Sequence, residues 1–167
     1  MKRRIIIGLL VLSSYGYAQK AITNNTIINH KNTNKMENEA KNVVTEFLTA
    51  VQQGDTAKLG ALLNPDIQWN QPGNNRVSGI KKSNMEVFEM VGKMFELSDN
   101  SLRLTDIKSI SINGNKVACL LHWNATQPAG GILDIDNIDV YTVENGLITK
   151  ADIFTADVKK ENQFWGE

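Results

Sequence analysis

Two aspartates near the C-terminal end of the chain have the residue type and the spacing for acid–base chemistry. Asn145 and Gly146 stand between two runs rich in β-branched and aromatic residues, a pattern typical of a two-residue hairpin turn. A hairpin with that turn places Asp139 directly opposite Asp152 on one sheet face. Two adjacent carboxylates do not both ionise easily, so one could serve as a general acid and the other as a base. Asp139 and Asp152 are therefore the candidate catalytic residues.

A purely structural role accounts for the same pair. Like charges directly opposite each other usually destabilise a sheet, but the face could be solvated, or Lys150 could neutralise the two acids. Both faces of the hairpin carry mostly apolar side chains. This pattern predicts a sheet with a pocket on one side and a partner on the other.

The elements that position this hairpin are helices followed by strands. Amphipathic spacing predicts a long helix over residues 36–53, a short one capped by Asp55, and a third over 84–97 opened by a capping box at Ser83. A strand is predicted over 67–70, and after the third helix only strands follow. This order predicts an α+β domain with helices packed on one face of an antiparallel sheet.

The 167 residues divide into three predicted parts. Residues 1–18 have the basic start, the short apolar run and the small residues before Gln19 that are typical of a secretory signal peptide. Residues 19–35 are polar and lack periodicity, which predicts a disordered linker. Residues 36–167 form the domain. We expect an exported protein, periplasmic or secreted, with no membrane span after cleavage.

Charge and cysteine content narrow the function classes. The predicted signal holds three of the 18 basic residues and none of the 18 acidic ones, which leaves a net charge of −3. No basic stripe is present, so a nucleic-acid partner is disfavoured. Cys119 is the single cysteine and lies in an apolar stretch, which predicts a buried, inert thiol.

Four segments carry a resemblance to a known family: 47–55, 66–75 with Gly79, 139–141 with 144–146, and 164–166. On these residues the chain resembles the SnoaL-like branch of the nuclear transport factor 2-like superfamily, over residues 36–167. The resemblance implies a cone-shaped α+β barrel. Three N-terminal helices would pack on a curved, mostly antiparallel sheet with a C-terminal strand meander, and a pocket would lie between them. It also implies a homodimer.

The ketosteroid isomerase branch of that superfamily uses a tyrosine, an aspartate base and a protonated aspartic acid. By position, the tyrosine corresponds to Phe47 and the base to Asn70, or to Trp69 if the loop is shifted by one residue. The inner acid corresponds to Asp139. Because Phe47 cannot donate a hydrogen bond and Asn70 cannot take up a proton, the resemblance argues against isomerase chemistry of that kind.

Further residues are candidates for binding a ligand. Trp69 and Asn70 fall where the resemblance places the pocket rim, and Asn70 or Gln71 could orient a carbonyl or hydroxyl group. The other predicted ligand-binding residues are Phe47, Tyr141 and Trp123. His122 falls on the opposite strand face from Trp123, and the domain has no second histidine, so a metal site is not expected. No Gly-rich phosphate loop is present, and no cofactor is expected.

Three hypotheses about function follow from the sequence. The first is an exported protein that binds a small apolar or amphipathic molecule in a pocket containing a carboxylate pair. The second is an enzyme that performs proton-transfer chemistry through Asp139 and Asp152, such as an isomerase, cyclase or hydrolase. The third is a dimeric interaction module without a ligand.

Overall fold

The computed structural model describes the backbone of residues 12–166 and the side chains from residue 32 onward. The basic residues and most of the apolar run of the predicted signal peptide therefore lie outside the described residues. The chain divides between Lys35 and Met36 into two compact units. In the part of the chain that is described, no helix combines the length and the apolar character needed to cross a membrane.

Four helices and six strands make up the described chain. In order they are α1 (Leu12–Gln53), α2 (Thr56–Leu62), β1 (Leu63–Gln71), β2 (Gly79–Lys81), α3 (Asn84–Leu97), β3 (Arg103–Asn113), β4 (Lys116–Thr126), β5 (Ile132–Glu144), β6 (Leu147–Thr155) and α4 (Val158–Trp165). The strands form one sheet in the order β2-β1-β6-β5-β4-β3. Only the β1–β6 pair is parallel. The predicted α+β fold, with helices packed on a curved and mostly antiparallel sheet, is confirmed, although the sheet stays open.

Side-chain alternation along β4 separates the two faces of the sheet. Val117, Cys119 and Leu121 are fully buried on the inner face, as the unbroken apolar set in the sequence predicts. Leu120 and His122 lie on the outer face and are only half-buried. The core therefore fills the space between the inner face and the helices, including the part of α1 that follows Met36.

Local sequence signals set the starts of α2 and α3 as predicted. Asp55 caps α2 by accepting a hydrogen bond from the Lys58 amide at 2.9 Å. Ser83 caps α3 by accepting from the Glu86 amide at 3.2 Å, and the Glu86 carboxylate accepts in turn from the Lys82 amide at 2.8 Å. The reciprocal bond reaches one residue further back than in the usual capping box.

Replacing Ser83 with Ala is expected to lower the free energy of unfolding by about 1 kcal/mol, because the first turn of α3 loses a side-chain acceptor. Urea unfolding followed by circular dichroism measures the change. The control is Ser111→Ala, which removes a hydroxyl from an exposed position on β3. Equal losses in the two variants would contradict the capping role.

The sequence analysis missed two elements, and it predicted no regular structure for a third region that is helical. Strand β2 falls in a stretch interpreted as loop, and α4 follows the strands where no helix is predicted. Residues 19–35, expected to be a disordered linker, continue α1 in the structure. Extending an existing helix requires no new nucleus, Lys is a good helix former, and Asn and Thr disfavour a helix only weakly.

Candidate functional site

A β-bulge in the C-terminal hairpin separates the two aspartates predicted to face each other. The turn is as expected, with φ of +52° at Asn145 and +77° at Gly146, and Val143 pairs with Ile148. The next pair is Thr142 with Lys150, so Thr149 is an extra residue in β6. Beyond it the register is shifted by one residue, and a one-residue shift exchanges the two sheet faces.

The predicted Asp139–Asp152 pair is therefore wrong. Asp139 pairs with Ile153, whereas Asp152 pairs with Val140 and lies on the outer face. There the Lys150 ammonium lies 2.8 Å from the Asp152 carboxylate. Lys150 thus neutralises Asp152, as the structural interpretation allowed, but it has no such contact with Asp139.

Asn70, a predicted ligand-binding residue, also lies outside the site. It is exposed on the outer face and pairs with Asp152 on the neighbouring strand. Trp69 and Gln71, the residues on either side, point inward and are buried. Of the two amides proposed for ligand contact, Gln71 is the one that reaches the interior.

A cavity of about 570 Å³ lies between the inner sheet face and the helices. Its walls are mostly apolar and include Phe47, Leu48, Val87, Phe88, Met94 and Trp123. The exposed residues Gln52, Asn100 and Arg103 also line it and mark its opening to solvent. This volume is within the range of small-molecule sites in proteins.

Three aromatic rings from different elements form one wall of the cavity. Phe47 on α1, Trp69 on β1 and Tyr141 on β5 lie with ring centroids 5.5 to 6.4 Å apart and in tilted or edge-to-face contact. The Trp69 indole donates a hydrogen bond to the Gln71 side-chain oxygen at 3.1 Å. Together with Trp123, these are four of the predicted ligand-binding residues, and the structure brings all four to the same cavity.

Asp139 is the acid at the centre of this wall. Its side chain is 3% exposed, and its Oδ2 accepts a hydrogen bond from the Tyr141 hydroxyl at 2.9 Å. Burial raises the pKa of Asp139 from 3.8 to about 7, the Tyr141 hydrogen bond opposes the rise, and the nearby charge of Glu161 adds to it. Asp139 can therefore hold or release a proton near neutral pH.

Glu161 is the second acid of the cavity, and the sequence analysis missed it. It lies on α4, whose start is capped by Asp157, and α4 places Phe164 and Trp165 in the core. Glu161 is 2% exposed, and burial raises its pKa. In the sequence, Glu161, Phe164 and Trp165 have the i, i+3, i+4 spacing of one helix face. A segment of eight residues is too short, however, for this periodicity to predict a helix after a run of strands.

Asn137 lies two residues before Asp139 on β5 and contacts Glu161 on α4. Asn137, Asp139 and Tyr141 alternate onto the inner face, and the Asn137 amide nitrogen donates to Glu161 Oε1 at 3.3 Å. Within the described chain, three buried oxygens of this cluster have no hydrogen-bond partner: Asn137 Oδ1, Asp139 Oδ1 and Glu161 Oε2. The Thr155 hydroxyl lies near enough to lower the pKa of Glu161 but does not bond to that Oε2. Buried polar atoms are normally paired, so these three oxygens can accept hydrogen bonds from a bound group.

The remaining candidates from the sequence lie away from the cavity or are inert. His122 points outward, as expected, and its two ring nitrogens lie 2.6 Å from Asp136 and 3.1 Å from Asp134. Cys119 is fully buried, and burial together with the charge of Asp139 raises its thiol pKa to about 12. A thiol that stays protonated is a poor nucleophile, in agreement with the sequence interpretation.

Comparison with known proteins agrees with this fold. A family profile described as the SnoaL-like domain matches residues 44–151, more than half of the chain. An uncharacterized protein of Mycobacterium tuberculosis is 26% identical over 123 residues, which are 74% of this chain and 93% of that protein.

Two solved structures show the same architecture. A protein of unknown function with a cystatin-like fold from Xanthomonas campestris is 32% identical, with a TM-score of 0.73 over 77% of this chain and 98% of that one. An NTF2-like protein from Burkholderia xenovorans is 16% identical, with a TM-score of 0.66 over 78% of this chain and 98% of its own. The profile match and these folds confirm the resemblance drawn from the sequence, and the chain belongs to the SnoaL-like family of the nuclear transport factor 2-like superfamily.

Proposed function

We propose that the domain binds a small, largely apolar molecule inside the cavity, in a protein that is exported. The observation that carries the proposal is an open cavity of about 570 Å³ whose apolar walls surround buried polar atoms without partners. Phe47, Phe88 and Trp123 line this space without filling it. A ligand with an apolar body and a polar group would cover the apolar walls and reach the buried polar cluster.

Binding of a neutral fluorescent probe tests this function. Nile red is expected to bind saturably to the wild-type domain, with the blue shift typical of an apolar site. The substitution Val91→Trp adds an indole to a cavity-lining position and is expected to weaken binding by about tenfold or more, since occupied volume excludes the probe. The matched control, Val158→Trp, adds the same side chain at a surface position that is 46% exposed.

Absence of saturable binding to the wild-type protein contradicts the proposal. Equal binding by the two tryptophan variants also contradicts it, because the probe would then occupy another surface. Circular dichroism spectra establish that both variants retain the fold.

A second candidate is an enzyme that uses the same cavity for proton transfer. The observation that favours it is Asp139, a buried acid with a pKa of about 7, since a general acid or base works best when its pKa is near the working pH. Glu161 takes the place of Asp152 as the second acid in this hypothesis. Turnover of an identified ligand that is lost in Asp139→Asn would distinguish the enzyme from the binding protein.

We also propose that the protein forms a homodimer through the outer face of the sheet. Leu120, Ile138 and Phe154 are neighbours across three adjacent strands there. Ile138 is 48% exposed and Phe154 is 58% exposed. An apolar row of this kind is typical of a contact surface.

A further inference from the structure

The polar end of the cavity contains acceptors in excess of donors. Three buried oxygens there have no partner among the described residues: those of Asn137, Asp139 and Glu161. The Tyr141 hydroxyl already donates to Asp139, and the Asn137 amide already donates to Glu161. When the two acids are ionised, a ligand group that fits this end must therefore supply hydrogen-bond donors.

The charges on the cavity wall also favour a ligand that donates hydrogen bonds. Two acids, Asp139 and Glu161, lie deep in the wall, and Arg103 is the one basic residue among its described lining residues. Arg103 is exposed, and its guanidinium donates to the Asn100 and Leu102 carbonyls at 2.8 and 2.6 Å. It does not neutralise the two acids, so an anionic ligand would add a negative charge beside two carboxyl groups whose ionisation burial already opposes.

A cation has favourable surroundings at this end. The Tyr141 hydroxyl contacts Asp139, and the Tyr141 ring is in edge-to-face contact with Trp69. Aromatic rings attract cations when water is excluded. A primary ammonium group carries three N–H donors and can pair with more than one of these oxygens. Rotation of a terminal carboxyl group has a low barrier, so the oxygens of Asp139 can turn toward a bound group.

We propose that the ligand is an amphipathic amine, with its protonated nitrogen bound by Asp139, Glu161 and Asn137 and its apolar body packed against the aromatic wall. This inference rests on the proposed function, because it assigns a ligand class to the same cavity. Binding of the cation favours the ionised form of Asp139. The protein therefore releases protons when the amine binds near neutral pH.

Three ligands with one apolar body and different head groups test the inference. The probes are 3-phenylpropylamine, 3-phenylpropan-1-ol and 3-phenylpropanoate, measured by calorimetry at pH 7. The amine is expected to bind about tenfold or more tightly than the alcohol, and the carboxylate more weakly than either, because only the ammonium forms charge-assisted bonds with the acids. Titrations in two buffers of different ionisation enthalpy should detect proton release with the amine and none with the alcohol.

Variants locate the effect at the two acids. Glu161→Gln and Asp139→Asn are each expected to reduce the preference for amine over alcohol to about threefold or less, since one charge partner is lost. Asp139→Asn should also abolish most of the proton release. The control Asp152→Asn removes an aspartate carboxyl on the outer face, paired with Lys150, and should leave the preference unchanged.

The outcomes separate this inference from the proposed function. If the alcohol binds as tightly as the amine, the amine assignment is overturned while the binding function stands. If none of the three compounds binds and Nile red does not bind either, both are overturned. If the amine preference persists in Glu161→Gln and Asp139→Asn together, the amine site lies elsewhere and the assignment is again overturned.

Discussion

Replacing Asp139 with Asn is expected to raise the free energy of unfolding at pH 8, by up to about 4 kcal/mol more than it does at pH 4. The reason is that the folded state holds this buried carboxyl at a pKa of about 7 instead of 3.8. Between these two values the folded protein keeps a proton that the unfolded chain has released. The folded state thus binds more protons, and stability falls as the pH rises through this window. Asparagine carries no titrating proton and removes that contribution.

The hydrogen bond that orients Asp139 is retained in this variant. The Tyr141 hydroxyl, which donates to Asp139 Oδ2 at 2.9 Å, can donate equally to an asparagine oxygen. Glu161, whose pKa is also raised by burial, keeps its own pH-dependent contribution in the same direction. Wild type and variant should therefore both lose stability with rising pH, and the wild type should lose more.

Urea unfolding at intervals from pH 4 to pH 9 measures the difference between the two proteins. The control is Asp152→Asn, in which the lost group is the outer-face partner of Lys150. A partly exposed ion pair contributes about 1 kcal/mol or less, so this variant should differ little from wild type at any pH. Parallel curves for wild type and Asp139→Asn would contradict the burial of an ionisable acid at position 139.

The second large effect is expected for Leu121→Ala, which should lower the free energy of unfolding by about 3 to 4 kcal/mol because it leaves a cavity in the core. Leu121 is fully buried on the inner face of β4. The preceding residue, Leu120, has the same side chain on the outer face and is half-buried. Leu120→Ala is expected to lower the free energy of unfolding by about 1 kcal/mol, because folding removes less of this half-buried side chain from water.

This pair of leucines also tests whether the outer face is covered in solution. Unfolding at low and high protein concentration separates the stability of the chain from that of a complex. Equal losses for the two variants at low concentration would contradict the assignment of faces. A loss for Leu120→Ala that grows with protein concentration would instead support a homodimer through the outer face.

The largest difference between the sequence analysis and the structure arises from one residue. The turn at Asn145 and Gly146 and the first two pairs after it are as predicted. Thr149 then enters β6 as a bulge, with its hydroxyl 3.4 Å from the Thr142 carbonyl that it donates to. The two faces of the hairpin are similarly apolar in sequence, so nothing in the local pattern favours one register over the other. Packing of Tyr141 and Ile153 into the core selects it.

The second acid of the cavity also could not be predicted from local sequence patterns. A carboxylate pair in an apolar pocket was expected, and Asp139 is one member of the pair found. The other is Glu161, which is 22 residues further along and reaches the cavity only because α4 packs against β5. Sequence patterns describe contacts within an element or across a turn. They do not describe where a separate short helix docks on a sheet.

By itself, the sequence determined the helix caps, the hairpin turn and the alternation along β4, because each depends on residues close together in the chain. Segments spread along the chain also identified the family. It also identified Asp139 and four aromatic residues of the cavity. Only the tertiary structure decided that Asp152 and Asn70 face outward and that Glu161, Asn137 and Gln71 face inward. These assignments depend on a one-residue shift in strand register and on the docking of α4. Both are selected by burial in the shared core rather than by local conformational preference.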